Sequence, residues 1–109
     1  MDGDPVIRQR LAQLQIEAQV LRLNAYRGLT GMQKRGAPGP EGSLGKWHWA
    51  EVNQAISELA MDVAGPSAQL GDGKWPYRFL RSRANSIEGG TTEILKNIVA
   101  ERVLGLPRA

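Results

Sequence analysis

The sequence predicts an all-α domain, a bundle of three longer helices and one short helix. Three observations predict it. Apolar residues recur at alternating steps of four and three along most of the chain, the spacing that lines up one face of a helix. No segment alternates apolar and polar residues over a useful strand length. Proline and glycine clusters at residues 36–40, 65–66 and 105–107 cut the periodic stretches into helix-sized pieces.

The first helix is expected to start at Asp4-Pro5. Aspartate accepts the orphan amide protons of a first turn, and proline has no such proton to lose. Behind it Ile7, Leu11, Leu14, Ala18, Leu21 and Ala25 form one stripe, and Ile16, Val20 and Leu23 are read as widening it. Gly28 and Gly31 weaken the last turns, and the stretch at 36–40 ends the helix. Ser43 is the expected cap of a second helix reaching about Ala64, with Leu44, His48, Val52, Ile56, Leu59 and Val63 on one side and Gly65-Pro66 as the stop. Residues 67–74, with two glycines and Asp72, read as a loop. A short helix from Pro76 to about Ala84, a turn over residues 85–90, and a final helix from Thr91 or Thr92 to about Leu104 complete the chain.

The 109 residues make one domain, residues 1–109, of ordinary globular composition. The absence of cysteine excludes disulfides and thiolate metal sites and fits a reducing, cytoplasmic setting. The opening Met1-Asp2-Gly3-Asp4-Pro5 is acidic and unlike a signal peptide. No apolar run approaches the roughly 20 residues that span a bilayer, so no membrane partner is expected. The formal charge is +3, but the fourteen basic residues are scattered among acids and apolar positions. Nucleic acid is therefore not an expected partner, since that inference needs a basic cluster.

The single histidine, His48, lies beside an apolar helix face and reads as packed rather than catalytic. Trp47, Trp49 and Trp75 read as core or interface residues. No His, Asp or Glu pair has ligand spacing backed by a third ligand, so no metal is expected. The most informative segment is residues 86–94, Ser-Ile-Glu-Gly-Gly-Thr-Thr-Glu-Ile. Two glycines, two hydroxyl residues and an acid at a helix start offer amide protons, side-chain caps and a positive dipole end. From the residues alone, an ordinary helix cap and a corner that holds a phosphate or carbonyl oxygen both stay open.

Read whole, Arg81-Ser82-Arg83-Ala84 through Gly89-Gly90-Thr91-Thr92-Glu93-Ile94 to the closing Leu104-Gly105-Leu106-Pro107-Arg108 resembles the end of acyl-CoA dehydrogenases. The first two helices resemble the C-terminal bundle of that family more loosely, and the proline- and glycine-rich stretch at 36–43 is most similar to actinobacterial-type members. The resemblance covers nearly all of this chain but only the last part of a family enzyme. It implies FAD as cofactor and removal of a proton from the α-carbon and a hydride from the β-carbon of an acyl-CoA thioester. It also implies that Thr91, Thr92 and Glu93 contact FAD and that Gly90 lies beside the substrate.

Many family members carry the general base directly before the glycine-threonine pair, where this chain has Gly89. Glu88 is the nearest carboxylate, but a shift of one residue on a turn points a side chain elsewhere, so no catalytic residue is assigned. Other members place the base on a bundle helix that precedes the first helix here. The family's Gln-x-x-Gly-Gly stretch, which reaches a neighbouring subunit's FAD, reads Asp62-Val63-Ala64-Gly65-Pro66 in this chain. A carboxylate and a lost amide proton there would repel rather than hold a flavin phosphate.

The resemblance thus implies a C-terminal domain, inactive as an isolated chain, of an enzyme that passes electrons to an electron-transfer flavoprotein. The alternative is a non-catalytic helical partner subunit of such an enzyme. With a preceding helix lost, part of the first helix's apolar stripe would face water, so a homo-oligomer or hetero-oligomer is expected.

Overall fold

The computed structural model describes residues 3–71 and 73–108. Met1, Asp2 and the expected loop residue Asp72 lie outside the described residues. Four α-helices follow one another: α1 (Pro5–Arg35), α2 (Glu41–Ala64), α3 (Lys74–Ser82) and α4 (Thr92–Ile98). No strand occurs among the described residues. The all-helical class is as the sequence predicts.

Helix α1 starts where expected, with Asp4 Oδ1 accepting from the amides of Val6 at 2.9 Å and Ile7 at 3.3 Å. Gly36 closes it, its amide donating to the Met32 carbonyl at 2.8 Å. Helix α2 starts earlier than the expected Ser43 cap. Pro40 already holds helical angles, φ −67° and ψ −11°, because its ring locks φ near that value. Glu41 then supplies the acid that favours a first turn and reaches Arg35 at 3.4 Å.

The stretch after α2 is a 3₁₀ turn, Gly65–Leu70, rather than an open loop. Helix α3 begins at Lys74, two residues before the expected Pro76. Proline is tolerated there because the first four amides of a helix have no intrahelical acceptor anyway. Helix α3 also stops sooner, at Ser82, and passes into a second 3₁₀ turn, Arg83–Ser86. Thr91 caps α4, and a π turn, Val99–Val103, carries the chain to its end.

Helix α2 is the centre of the molecule: α1 lies along one flank, α3 and α4 along the other. The 31 residues of α1 run about 46 Å at 1.5 Å per residue, which sets the 48 Å long axis. The radius of gyration, 16.8 Å, exceeds the roughly 13 Å of a compact chain this long. The long α1 makes the helical bundle elongated.

The buried apolar residues Ala50, Val52, Leu59, Ala68, Leu95 and Val99 come from α2, the 3₁₀ turn after it and the α4 segment, and none from α1. Ile7, Leu14 and Leu21 are half-buried, whereas Leu11, Ala18 and Ala25 of the same stripe are exposed. Ile16, Val20 and Leu23 do not widen the stripe as expected. At about 100° per residue they fall on the far side of the helix, and they stand exposed.

Candidate functional site

The corner that opens α4 is built by two consecutive glycines. Gly89 has φ +70° and Gly90 φ +110°, a region that residues with a Cβ rarely enter. A Cβ on Gly90 would also meet Leu95 Cδ2 at 3.3 Å. Ahead of the glycines, the amides of Ile87 and Glu88 both donate to the Ala84 carbonyl, at 3.0 and 2.9 Å. Behind them Thr91 is extended, φ −66° and ψ 157°, and its Oγ1 accepts from the Ile94 amide at 3.3 Å. Thr91 and Thr92 are half-buried and Glu93 is exposed. Residues 89–93 are thus brought to one corner, with the Thr91 hydroxyl engaged as a helix cap.

A polar network anchors this corner to α2 and α3. The Lys46 ammonium donates to the carbonyl oxygens of Asn85 and of Gly90, the latter at 3.1 Å. Asn53 Nδ2 donates to Asn85 Oδ1 at 2.7 Å, and Asn85 Nδ2 donates to Glu88 Oε1 at 3.0 Å. Gln54 Nε2 donates to the Ser82 carbonyl at 2.9 Å and to Ser86 Oγ at 3.2 Å. The Ser57 and Ser82 hydroxyls lie 3.1 Å apart. Among the described residues no buried side-chain polar atom is left without a partner, as buried polar groups require.

Glu88 is turned into this network. Its carboxylate accepts from Arg81 at 3.0 Å and from Asn85. The Arg81 guanidinium first, and then the Asn85 amide, hold its pKa below the ordinary 4.5 of a glutamate. A carboxylate held in this way is a poorer proton acceptor than a free one near neutral pH. At Gly89 there is no side chain to take a proton.

The other residues singled out in the sequence are tied into structural contacts. His48 Nε2 pairs with the Glu17 carboxylate and so joins α2 to α1. Asp62 pairs with Arg10 at 2.6 Å across the same interface. Pro66 sits at the start of the 3₁₀ turn that follows α2. Trp47 Nε1 donates to Glu51 at 2.7 Å, and Lys96 Nζ lies 4.8 Å from the centre of its ring. Among the described residues no group of three His, Asp or Glu side chains has the spacing to hold a metal ion, and no helix is long and apolar enough to cross a membrane.

A second feature is a trough along α2 between α1 and α3. Leu11, Leu14 and Ala18 form one wall, Ile56, Ala60 and Val63 the floor, and Trp75 the far side. A separate hollow between α1 and the start of α2 is lined by Leu21, Ala25, Leu44 and Trp49. Arg8 borders the trough, and Arg22 and Arg27 border the second hollow.

Sequence reasoning assigned no role at the corner to Lys46, Asn53, Arg81 or Asn85. A signal was present on α2, where Lys46, Ala50, Asn53 and Ser57 recur at steps of four and three and so share a face. Because that face is small and polar, it does not stand out as a packing surface.

The chain matches the family model described as acyl-CoA dehydrogenase, C-terminal domain, over residues 3–104. It is 40% identical to the acyl-CoA dehydrogenase IpdE1 of Mycobacterium tuberculosis over 109 aligned residues, covering 96% of this chain and 28% of that protein. The acyl-CoA dehydrogenase IpdE1 of Mycolicibacterium smegmatis is 41% identical, with 96% of this chain and 26% of that protein covered. The acyl-CoA dehydrogenase FadE34 of Mycobacterium tuberculosis is 39% identical over 71 residues, 65% of this chain and 10% of that protein. The chain therefore spans about a quarter of the length of the two relatives that it matches along nearly its whole extent. No solved structure matches it.

Proposed function

The chain belongs to the acyl-CoA dehydrogenase family, whose C-terminal domain it matches, and we propose that it serves as that part of an FAD-dependent enzyme. The proposed reaction is α,β-dehydrogenation of an acyl-CoA thioester in a cytoplasmic setting, with electrons passed to an electron-transfer flavoprotein. The observation that carries this reading is the glycine corner before α4, where Thr91 and Thr92 are brought together and held from behind by α2.

In this reading the corner serves as one edge of a flavin site. Gly90 leaves open the space that a Cβ would fill against Leu95, and the first amides of α4, next to Thr91 and Thr92, have no acceptor within the helix. Thr91, Thr92 and Glu93 would contact FAD, and Gly90 would face the thioester. When bound, the flavin supplies the acceptor for the hydride from the β-carbon. This chain's residues would orient the nucleotide and keep the corner rigid.

The α-proton needs a base from elsewhere. Gly89 has no side chain, and the Glu88 carboxylate is occupied by Arg81 and Asn85. The isolated chain is therefore proposed to be inactive. Purified alone, it is expected to show no stoichiometric flavin spectrum and no reduction of an electron acceptor with a panel of acyl-CoA thioesters. Tight FAD with turnover would overturn the inactivity.

The trough favours a second reading, in which the chain is a helical partner subunit within an acyl-CoA dehydrogenase complex. An apolar trough of this length finds a cover in most soluble proteins, here a second copy or another dehydrogenase subunit. Sedimentation at tens of micromolar is expected to show a dimer or larger species, and a monomer would count against self-association. The reading frame upstream of Met1 separates the two readings. A flavin domain and a glutamate-bearing helix encoded there make the chain the end of one enzyme, and a closed frame favours the partner.

A further inference from the structure

We propose that Lys46 is a positioning residue for the corner that opens α4: its ammonium, shared by the carbonyls of Asn85 and Gly90, chooses the conformation of the two glycines and so sets where Thr91 and Thr92 point. The inference rests on the flavin-contact reading only for the use of the corner, not for the latch itself.

Two consecutive glycines leave the chain free to enter many conformations, yet here both hold defined positive φ angles. Something outside the turn must select them. The Gly90 carbonyl belongs to the peptide joining Gly90 to Thr91, so a donor on that oxygen orients the plane from which α4 starts. Lys46 supplies the donor at 3.1 Å from a helix 44 residues away in sequence. The same nitrogen also donates to Asn85 O at the far end of the turn, so one ammonium closes residues 85–90 across their base.

The lysine stem passes close to the turn, as a Cβ built on Gly89 would lie 3.5 Å from Lys46 Cε. Arg81, the other cation tied to this turn, is engaged by Glu88. An ammonium suits the position better than a guanidinium. It presents three donors from one small atom, whereas arginine spreads its donors over a flat fork.

The chain has no cysteine, which permits a rescue experiment at this position alone. Hydrogen exchange is read at the amides of Ile87, Glu88, Ile94 and Leu95, which hold the turn and the start of α4. In Lys46→Met, which keeps an apolar stem and loses the donors, these amides are expected to exchange about tenfold faster or more through local opening. The amides of α1 should keep their rates.

Lys46→Cys should show the same loosening, and treating it with bromoethylamine, which rebuilds an ammonium at almost the original length, should reverse it. Unchanged exchange at the corner in Lys46→Met would overturn the proposal. So would loosening spread evenly over α1 and α2, or a loss that aminoethylation does not restore. If Lys46→Met does not fold, the Lys46→Cys protein before and after aminoethylation decides by the same criterion. No flavin is needed, so failure of the latch and failure of the flavin reading are separately visible.

Discussion

The two flanks of α2 are held by different physics. Toward α3 and α4, small side chains let the backbones approach. Ala50, Ser57, Ser82 and Asn85 are buried, Leu95 and Val99 fill the apolar part, and the polar groups satisfy one another. Toward α1, the described contacts include the Arg10–Asp62 ion pair, the His48–Glu17 contact and half-exposed leucines, and α1 buries no residue fully. An exposed ion pair such as Arg10–Asp62 contributes only about 0–1 kcal/mol, so α1 is the more weakly held flank. One flank is a closely packed interface, and the other is a looser one.

The sharpest test of this contrast is a pair of leucines. Leu95→Ala, in the closely packed flank, is expected to lower stability by about 2–5 kcal/mol in urea titrations. Leu11→Ala, at a site 55% exposed in the trough wall, should change the dissociated chain by less than about 0.5 kcal/mol and act on self-association. Equal losses in dilute solution would erase the distinction between the flanks.

A smaller effect is expected from the polar network. Asn85→Ala strands the Asn53 amide and removes one donor to Glu88, and should cost about 1–3 kcal/mol. Asp62→Ala, which breaks the exposed pair with Arg10, should cost no more than about 1 kcal/mol. Chemical denaturation of both variants compares a satisfied buried network with a surface pair. The reverse ranking would show α1 to be the better anchored side.

The smallest effect is acid sensitivity. His48 and then Gln13 hold Glu17 below the ordinary glutamate value of 4.5, as Arg81 and then Asn85 hold Glu88. A carboxylate whose folded pKa is depressed adds stability above its unfolded value and loses it as pH falls through the folded one. Both contributions should therefore be complete above about pH 4.5 and fade below it. Glu88→Gln should flatten part of the acid loss in a stability-against-pH profile, and an unchanged profile would remove Glu88 from the account.

Much of the fold was legible in the sequence because its signals are local. Asp4-Pro5 and Thr91 carry their own capping atoms, and the break after Arg35 is written in glycine and proline. The starts of α2 and α3 were misread for the same reason. Ser43 reads as a cap and Pro76 as a first residue, but α2 already runs from Glu41 and α3 from Lys74. The candidate site was legible only as a string, residues 86–94. Lys46 and Asn53 lie some forty and thirty residues upstream on a face without apolar periodicity, and the three-four pattern marks oil rather than polar contact.

By itself the sequence determined the helical class, the main breaks, the family and the glycine corner with its missing carboxylate at position 89. Each of these depends on residues close together in the chain. Only the tertiary structure decided that Glu88 is spent on Arg81 and Asn85, that Lys46 ties the corner to α2, and that α1 presents an uncovered trough. Those outcomes depend on which distant side chains share a few ångströms of space, and the order of residues along the chain does not state that.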